Sequence, residues 1–222
     1  MITAFVGGTL VPLQDKGNGK TATMTFALLL AKYPKAKINL KTGKITLGRP
    51  SKTKIFTNYY VSFADKIMSP EEMVHMFLND ELRNCIVAID EMQVLFDSHF
   101  GIQRSKGKKV SLQELIMRLA QQSRKRNVEI YYTTQRFANV HKVLRVHTNY
   151  VFEPVKYHYD GNICILDKCK EKHIIRVYDL MYSTPTWEYP LDIILPFYNS
   201  EEIIFTPSSM VEVESSRESK EA

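Results

Sequence analysis

The sequence predicts an α/β fold, a mostly parallel central sheet flanked by helices, with a small antiparallel extension at its C-terminal end. Three stretches predict it. Residues 14–21 read QDKGNGKT, a glycine-rich turn that opens the helical run TATMTFALLLAK at residues 21–32. Residues 85–91 read CIVAIDE, five apolar residues closed by two acids. Such a run marks a strand buried on both faces, and strands of that kind belong to parallel sheets. Residues 128–134 read VEIYYTT, a second β-rich run that delivers Gln135 and Arg136 to its C-terminal end.

Taken in order, the chain begins with an apolar run at 2–6, a Gly7-Gly8 pair and a second run at 9–13. Two glycines between apolar runs are a hairpin signal. The strand that leads into the glycine-rich turn is either 2–6, with an insertion behind it, or 9–13 with Pro12 at a bulge. The first is preferred, because proline cannot donate in a central ladder. Tyr33-Pro34 ends the first helix. Residues 38–47 read as a hairpin turning at Thr42-Gly43, and 54–60 as a strand. Ser69-Pro70-Glu71-Glu72 is a capping box with proline at the first helical position. The helix it opens carries Met73, Val74, Phe77 and Leu78 on one face. Residues 92–100 read as amphipathic, and Ser111–Glu114 as a second capping box. Behind it, Leu112, Leu115, Ile116, Leu119, Ala120 and Ser123 form a helical stripe, which ends in Arg124-Lys125-Arg126-Asn127.

The residue types at 14–21 carry a specific chemistry. Gly17 and Gly19 let backbone N–H groups of residues 16–22 (Lys16, Gly17, Asn18, Gly19, Lys20, Thr21, Ala22) curl around phosphates with no Cβ in the way. Lys20 would reach the β- and γ-phosphates of a nucleotide, and the Thr21 hydroxyl would ligate Mg²⁺. The helix behind presents its positive end to the anion. Gln14 stands where the motif G-x-x-x-x-G-K-[ST] has its first glycine. About 70 residues on, Asp90 and Glu91 end a buried strand, the end at which open α/β sheets bind ligands. There Asp90 would hold Mg²⁺ through water, and Glu91 would take a proton from the attacking water. Gln135 would contact the γ-phosphate and that water.

Composition sets limits. The 222 residues suffice for one sizeable α/β domain or a domain with an appendage, and 44% of them are apolar. Three cysteines, an odd number, argue against a disulfide framework and fit a reducing compartment, the cytoplasm. Residues 1–13 lack the basic start of a secretory leader, and no apolar run approaches the ~18 residues of a membrane span. The net charge of +6 permits a nucleic-acid partner. Residues 101–110 (GIQRSKGKKV) hold Arg104, Lys106, Lys108 and Lys109 without an acid. They read either as a solvated loop or as a loop touching the phosphates of a threaded nucleic acid.

A phosphate loop, a strand ending in Asp-Glu, then Ser-Arg-Lys-Arg-Asn before a strand ending Thr-Thr-Gln-Arg resembles the FtsK/HerA class of P-loop ATPases. Residues 89–95 and 124–139 are most similar to its zonula-occludens-toxin-like and viral genome-packaging branches. The resemblance covers residues 1–155. It implies a core sheet in which the phosphate-loop and Asp-Glu strands are adjacent, a homo-oligomeric ring (often a hexamer), and Mg-ATP-driven movement of double-stranded DNA. It also implies an arginine supplied by a neighbouring subunit, for which Arg124 and Arg126 stand in the matching place, with Arg136 and Arg145 in reserve. The expected function is a motor that packages a viral or plasmid-like genome, in the host cytoplasm if the chain is viral, recruited by a capsid or membrane protein. The alternatives are a toxin-like phage assembly or extrusion ATPase, and an assembly protein for which the nucleotide is a structural ligand.

The rest divides into a β-rich extension at 156–207 and a disordered tail at 208–222, rich in Ser and Glu. Residues 149–154 read as a last core strand, 155–167 and 173–182 as an antiparallel pair. Cys164, Cys169 and His173, with His158 nearby, admit a zinc reading. Cys-x₄-Cys without a second paired motif is weak, however, and Cys164 alternates within the expected strand like an ordinary core residue. The core reading is preferred.

Overall fold

A computed structural model describes residues 1–14, 17–39, 42–93, 101–103, 109–166 and 169–199. In chain order the strands are β1 (Ile2–Phe5), β2 (Lys37–Asn39), β3 (Lys44–Thr46), β4 (Lys54–Thr57), β5 (Lys66–Ile67), β6 (Cys85–Ile89), β7 (Gly101–Gln103), β8 (Lys109–Ser111), β9 (Val128–Thr133), β10 (Tyr150–His158), β11 (His173–Asp179) and β12 (Thr184–Pro190). The helices are α1 (Lys20–Lys32), α2 (Pro70–Leu78), α3 (Leu112–Arg126) and α4 (Lys142–His147). Eight strands form one sheet in the order β12-β11-β10-β1-β9-β6-β4-β5. Every neighbouring pair from β10 to β5 is parallel. The last two strands, β11 and β12, join antiparallel.

The alternation of side chains along β6 shows why the run is apolar throughout. Cys85, Val87 and Ile89 face a cluster with Met73 and Phe77 of α2, Leu119 of α3 and Leu144 of α4. Ile86 and Ala88 face the other way, toward Met24 and Leu28 of α1. Successive residues of a strand point to opposite faces, so a strand between two helical layers has no polar side to spare. The far flank of α1 covers the antiparallel strands: Ala22, Phe26 and Leu29 pack on Ile175, Val177 and Tyr189. The Phe26 and Tyr189 rings stack at 4.2 Å. One helix thus spans the parallel sheet and the C-terminal strands.

The preferred reading of the N-terminus holds: Ile2–Phe5 is the central strand, and residues 6–14 form an insertion ahead of the glycine-rich turn. Gly7-Gly8 does not turn a hairpin. Instead the buried Glu153 carboxylate, on β10, accepts the backbone N–H groups of Thr9 (3.0 Å), Leu10 (2.9 Å) and Val11 (3.5 Å). Hydrogen bonds to an ionised carboxylate are stronger than neutral ones, so these contacts tie the loop to β10. The hairpin at 38–47 forms as β2 and β3, and the capping box at Ser69 closes with both of its bonds. The run at 94–100, basic residues 104–108 and the tail at 208–222 lie outside the described residues. So do the side chains of Lys109 and the second expected capping box.

Two expectations need correction. The phosphate-loop strand and the Asp-Glu strand are not adjacent, since β9 lies between β1 and β6 and pairs with both. The reason lies in the residues themselves. Tyr131, Tyr132 and Thr133 are all buried and can satisfy a ladder on either side, so β9 makes a central strand and not a flank. The expected strand at 155–167 is the second half of β10, which runs without interruption from its pairing with β1 into its pairing with β11. It stops at His158.

At the amino-terminal end of the sheet, Arg126 of α3 donates to the Phe77 carbonyl at 2.6 Å. Its guanidinium lies 4.1 Å from the centre of the Phe77 ring and 3.3 Å from Asp80. Arg126→Ala is expected to destabilise the fold by about 1–3 kcal/mol, the sum of a charged hydrogen bond and a cation–π contact. Arg124→Ala, at an exposed position, should change stability by less than ~0.5 kcal/mol. Equal urea midpoints for the two variants would remove Arg126 from this role.

Candidate active site at the carboxyl ends of the strands

The glycine-rich turn enters α1 through two residues in the left-handed region, Gly17 at φ 62° and Gly19 at φ 92°. Gly19 is doubly required. A Cβ there would stand 2.9 Å from Ile175 Cδ1 on β11, so the antiparallel extension presses on the turn. Gly19 also caps α1 with no side-chain hydrogen bond, and the N–H groups of the first turn therefore face out of the helix end. The Lys20 ammonium, almost buried, lies 3.2 Å from Asn18 Oδ1. Asn18 is 1% exposed, and its Nδ2 has no hydrogen-bond partner among the described residues. A buried amide donor left unpaired costs about 1–3 kcal/mol. It points to a ligand acceptor at this turn.

Opposite the turn, β6 ends in Asp90. The Thr21 hydroxyl, one residue into α1, donates to both carboxylate oxygens, at 3.0 and 3.2 Å. From the other side the Thr133 hydroxyl of β9 donates to Oδ1 at 2.5 Å, and the same hydroxyl accepts the Glu91 N–H at 2.8 Å. Asn58, just past β4, clamps the Asp90 backbone with two bonds, accepting from its N–H at 2.7 Å and donating to its carbonyl at 3.1 Å. Burial pushes the Asp90 carboxyl up to about 6. The Glu91 charge adds to the rise, while the hydroxyls of Thr133 and Thr21 and the Lys20 ammonium oppose it. Glu91 holds φ 53°, a left-handed conformation that costs a non-glycine residue of order 1 kcal/mol. That strain turns the chain sharply at the strand end, and the Glu91 carboxylate accepts from Gln93.

Most of the expected site residues converge. Gly17, Asn18, Gly19, Lys20, Thr21 and the buried Ala22 form the turn and the first turn of α1, Asp90 meets Thr21, and Glu91 follows Asp90. Gln135 follows β9 at the same end of the sheet, its carbonyl accepting the Gly7 N–H at 3.3 Å. Lys16 lies outside the described residues. Arg124 and Arg126 do not join the site of their own chain. They end α3 at the start of β9, and that six-residue strand separates them from the site by about 20 Å. Arg126 is, besides, committed to Phe77 and Asp80.

Sequence reasoning missed Thr133 and Asn58. The signal for Thr133 was present in the run Tyr-Tyr-Thr-Thr, but a threonine at a strand end means little until β9 is known to lie against β6. Gln14 also has a role of its own. Its amide donates to the carbonyls of Lys156 (2.9 Å) and Cys164 (2.5 Å) and accepts the Lys156 N–H (3.1 Å). In place of a flexible glycine, the turn begins with a side chain anchored to the extension.

No protein-family model matches the chain, and no curated protein matches it. Solved structures do. The chain is similar to the N-terminal domain of zonular occludens toxin from Neisseria meningitidis, with 16% identity, 89% of this chain and 98% of that one covered, and a TM-score of 0.49. It is similar to the genome packaging NTPase B204 from Sulfolobus turreted icosahedral virus 2, solved with ATP-gammaS, with 12% identity, coverage of 85% and 96%, and a TM-score of 0.42. A third is EssC (ATPases 2 and 3) from Geobacillus thermodenitrificans, with 10% identity, coverage of 98% and 43%, and a TM-score of 0.42.

Proposed function

We propose that this protein binds ATP with Mg²⁺ at the turn between residues 16 and 22, hydrolyses it, and uses the reaction to move double-stranded DNA. One observation carries the nucleotide reading. The Thr21 hydroxyl and the Asp90 carboxylate, 69 residues apart, meet at 3.0 Å beside an open helix end, with Lys20 on one side and Glu91 on the other. The residues fit the ligand. The first-turn N–H groups at the helix end, the orphaned Asn18 amide and the Lys20 cation suit phosphate oxygens, and a hydroxyl with a carboxylate suits a hard divalent cation. Bound there, Mg²⁺ would neutralise charge on the β- and γ-phosphates.

Lys20 attracts and orients the terminal phosphates. Thr133 and Asn58 keep Asp90 and Glu91 in fixed register. Glu91 accepts the proton of the attacking water, and Gln135 orients that water. The order of the motifs and the net charge of +6 support DNA as the cargo. No helix among the described residues is long and apolar enough to cross a membrane. The arginine that completes the site comes, in this reading, from a second copy of the chain.

Lys20→Ala is expected to weaken ATP binding by about 10- to 100-fold, since it removes a charged partner of the phosphates. Glu91→Gln keeps the shape of the site, so calorimetry should find binding intact while turnover falls by about 10²- to 10⁴-fold. Unchanged binding in the first variant would refute the loop, and normal turnover in the second would refute the base.

Duplex DNA should raise the ATP turnover of the native chain, and the effect should fade as salt is added. Turnover indifferent to DNA at every salt concentration leaves an ATPase with another cargo.

Arg124→Ala and Lys20→Ala chains, each inactive alone, should regain part of their turnover when mixed. If the mixture co-assembles and stays inactive, Arg124 does not act across subunits.

A further inference from the structure

The connection between β10 and β11 gathers four metal-binding side chains that the nucleotide site does not use. His158 ends β10 and His173 begins β11, and the two are register partners across the antiparallel ladder. The segment that joins them brings back Cys164 and Cys169. One ligand atom from each of the four residues lies within 4.8 Å of every other. Zinc bound tetrahedrally by two sulfurs and two nitrogens, at about 2.3 and 2.1 Å, has ligand atoms roughly 3.3–3.8 Å apart. Side-chain shifts of about 1 Å close the set.

Cys164 does not alternate in a strand as a core residue would. Beyond His158 the chain turns back, and its return is held by Cys164 N–H donating to the Lys156 carbonyl at 2.9 Å. This fold-back aims Cys164 at the two histidines. His173 is 3% exposed, and its Nε2 has no hydrogen-bond partner among the described residues. The imidazoles of His158 and His173 stand 5.0 Å apart, centre to centre. Two thiols and two imidazoles make a poor apolar core. The Glu171 carboxylate lies 2.8 Å from His158 Nδ1, the kind of outer contact that orients a metal-bound imidazole.

We propose that His158, Cys164, Cys169 and His173 bind one structural zinc ion. The donor set decides the class of metal: tetrahedral sulfur and nitrogen select zinc over the hard, oxygen-seeking cations. Four protein ligands leave no open position, so the ion staples and does not catalyse. What it staples follows from Gln14, whose amide holds the carbonyls of Cys164 and Lys156. The ion fixes the surface on which the glycine-rich turn begins. This last consequence rests on the nucleotide reading, whereas metal binding does not.

The test is the metal content of the full chain purified without chelators. Close to one zinc per chain is expected, and Cys169→Ser and His158→Ala should each lose most of it. Lys20→Ala and Cys85→Ala should retain it, which separates this site from the nucleotide site and from the remaining cysteine. Cobalt added to the metal-free native chain should give the intense visible bands of a tetrahedral ion and a thiolate charge-transfer band in the near ultraviolet, a readout that needs no variant. Native chain that neither carries zinc nor develops those bands overturns the proposal, as does a disulfide between Cys164 and Cys169 in protein prepared under reducing conditions. If zinc is present but its removal leaves ATP affinity unchanged, the staple stands and its link to the turn falls.

Discussion

Everything at the carboxyl end of this sheet depends on how one buried acid is held. Asp90 receives hydroxyls from α1 and from β9, and its backbone is gripped by Asn58 behind β4. Three other elements therefore hold the end of β6, two of them at the carboxylate itself. A buried charge without partners would cost several kcal/mol or would be neutralised by a proton. Here hydroxyl donors offset part of that cost and leave the group able to ionise. The same bonds set the height of α1 relative to the sheet, and with it the position of the glycine-rich turn. Folding and the proposed nucleotide chemistry share these contacts.

The parts legible in the sequence were those whose chemistry is local. The turn at 17–21, the strand ending in Asp90-Glu91, the capping box at Ser69 and the small hairpin at 38–47 each carry their own signal within a few residues. What was not legible depends on which strand lies beside which. Thr133 matters because β9 slots between β1 and β6, and nothing in Tyr-Tyr-Thr-Thr announces a neighbour. Glu153 reads as one acid in a strand, yet it organises the backbone of Thr9 to Val11 about 140 residues away. Arg126 looked like a charge waiting for a phosphate, and its partners are a carbonyl, a ring and an acid of its own chain.

The entry to the turn illustrates how a departure from a motif can be compensated. A glycine at position 14 would give freedom, whereas Gln14 gives attachment through three hydrogen bonds to the extension. Ile175 closes the same region from β11, so near to Gly19 that a Cβ there would have to push its side chain aside. The C-terminal strands are therefore not an ornament on the domain. They share α1 with the parallel sheet, bound the turn on one side and anchor its first residue.

The two margins of the sheet have a consequence for how copies of this chain can meet. At one margin β5 has only two residues. At the other, β12 carries Pro185 near its start and Pro190 at its end, with Glu188 paired to Arg176 of the adjacent strand. Prolines and charges on a border strand withhold the donors that a further strand would need, and a two-residue strand offers too short a template. Copies cannot readily zip together by continuing the sheet from chain to chain. Among the described residues, neither margin of the eight-stranded sheet favours that route, whereas contacts made side chain to side chain can break and re-form without unpicking a ladder.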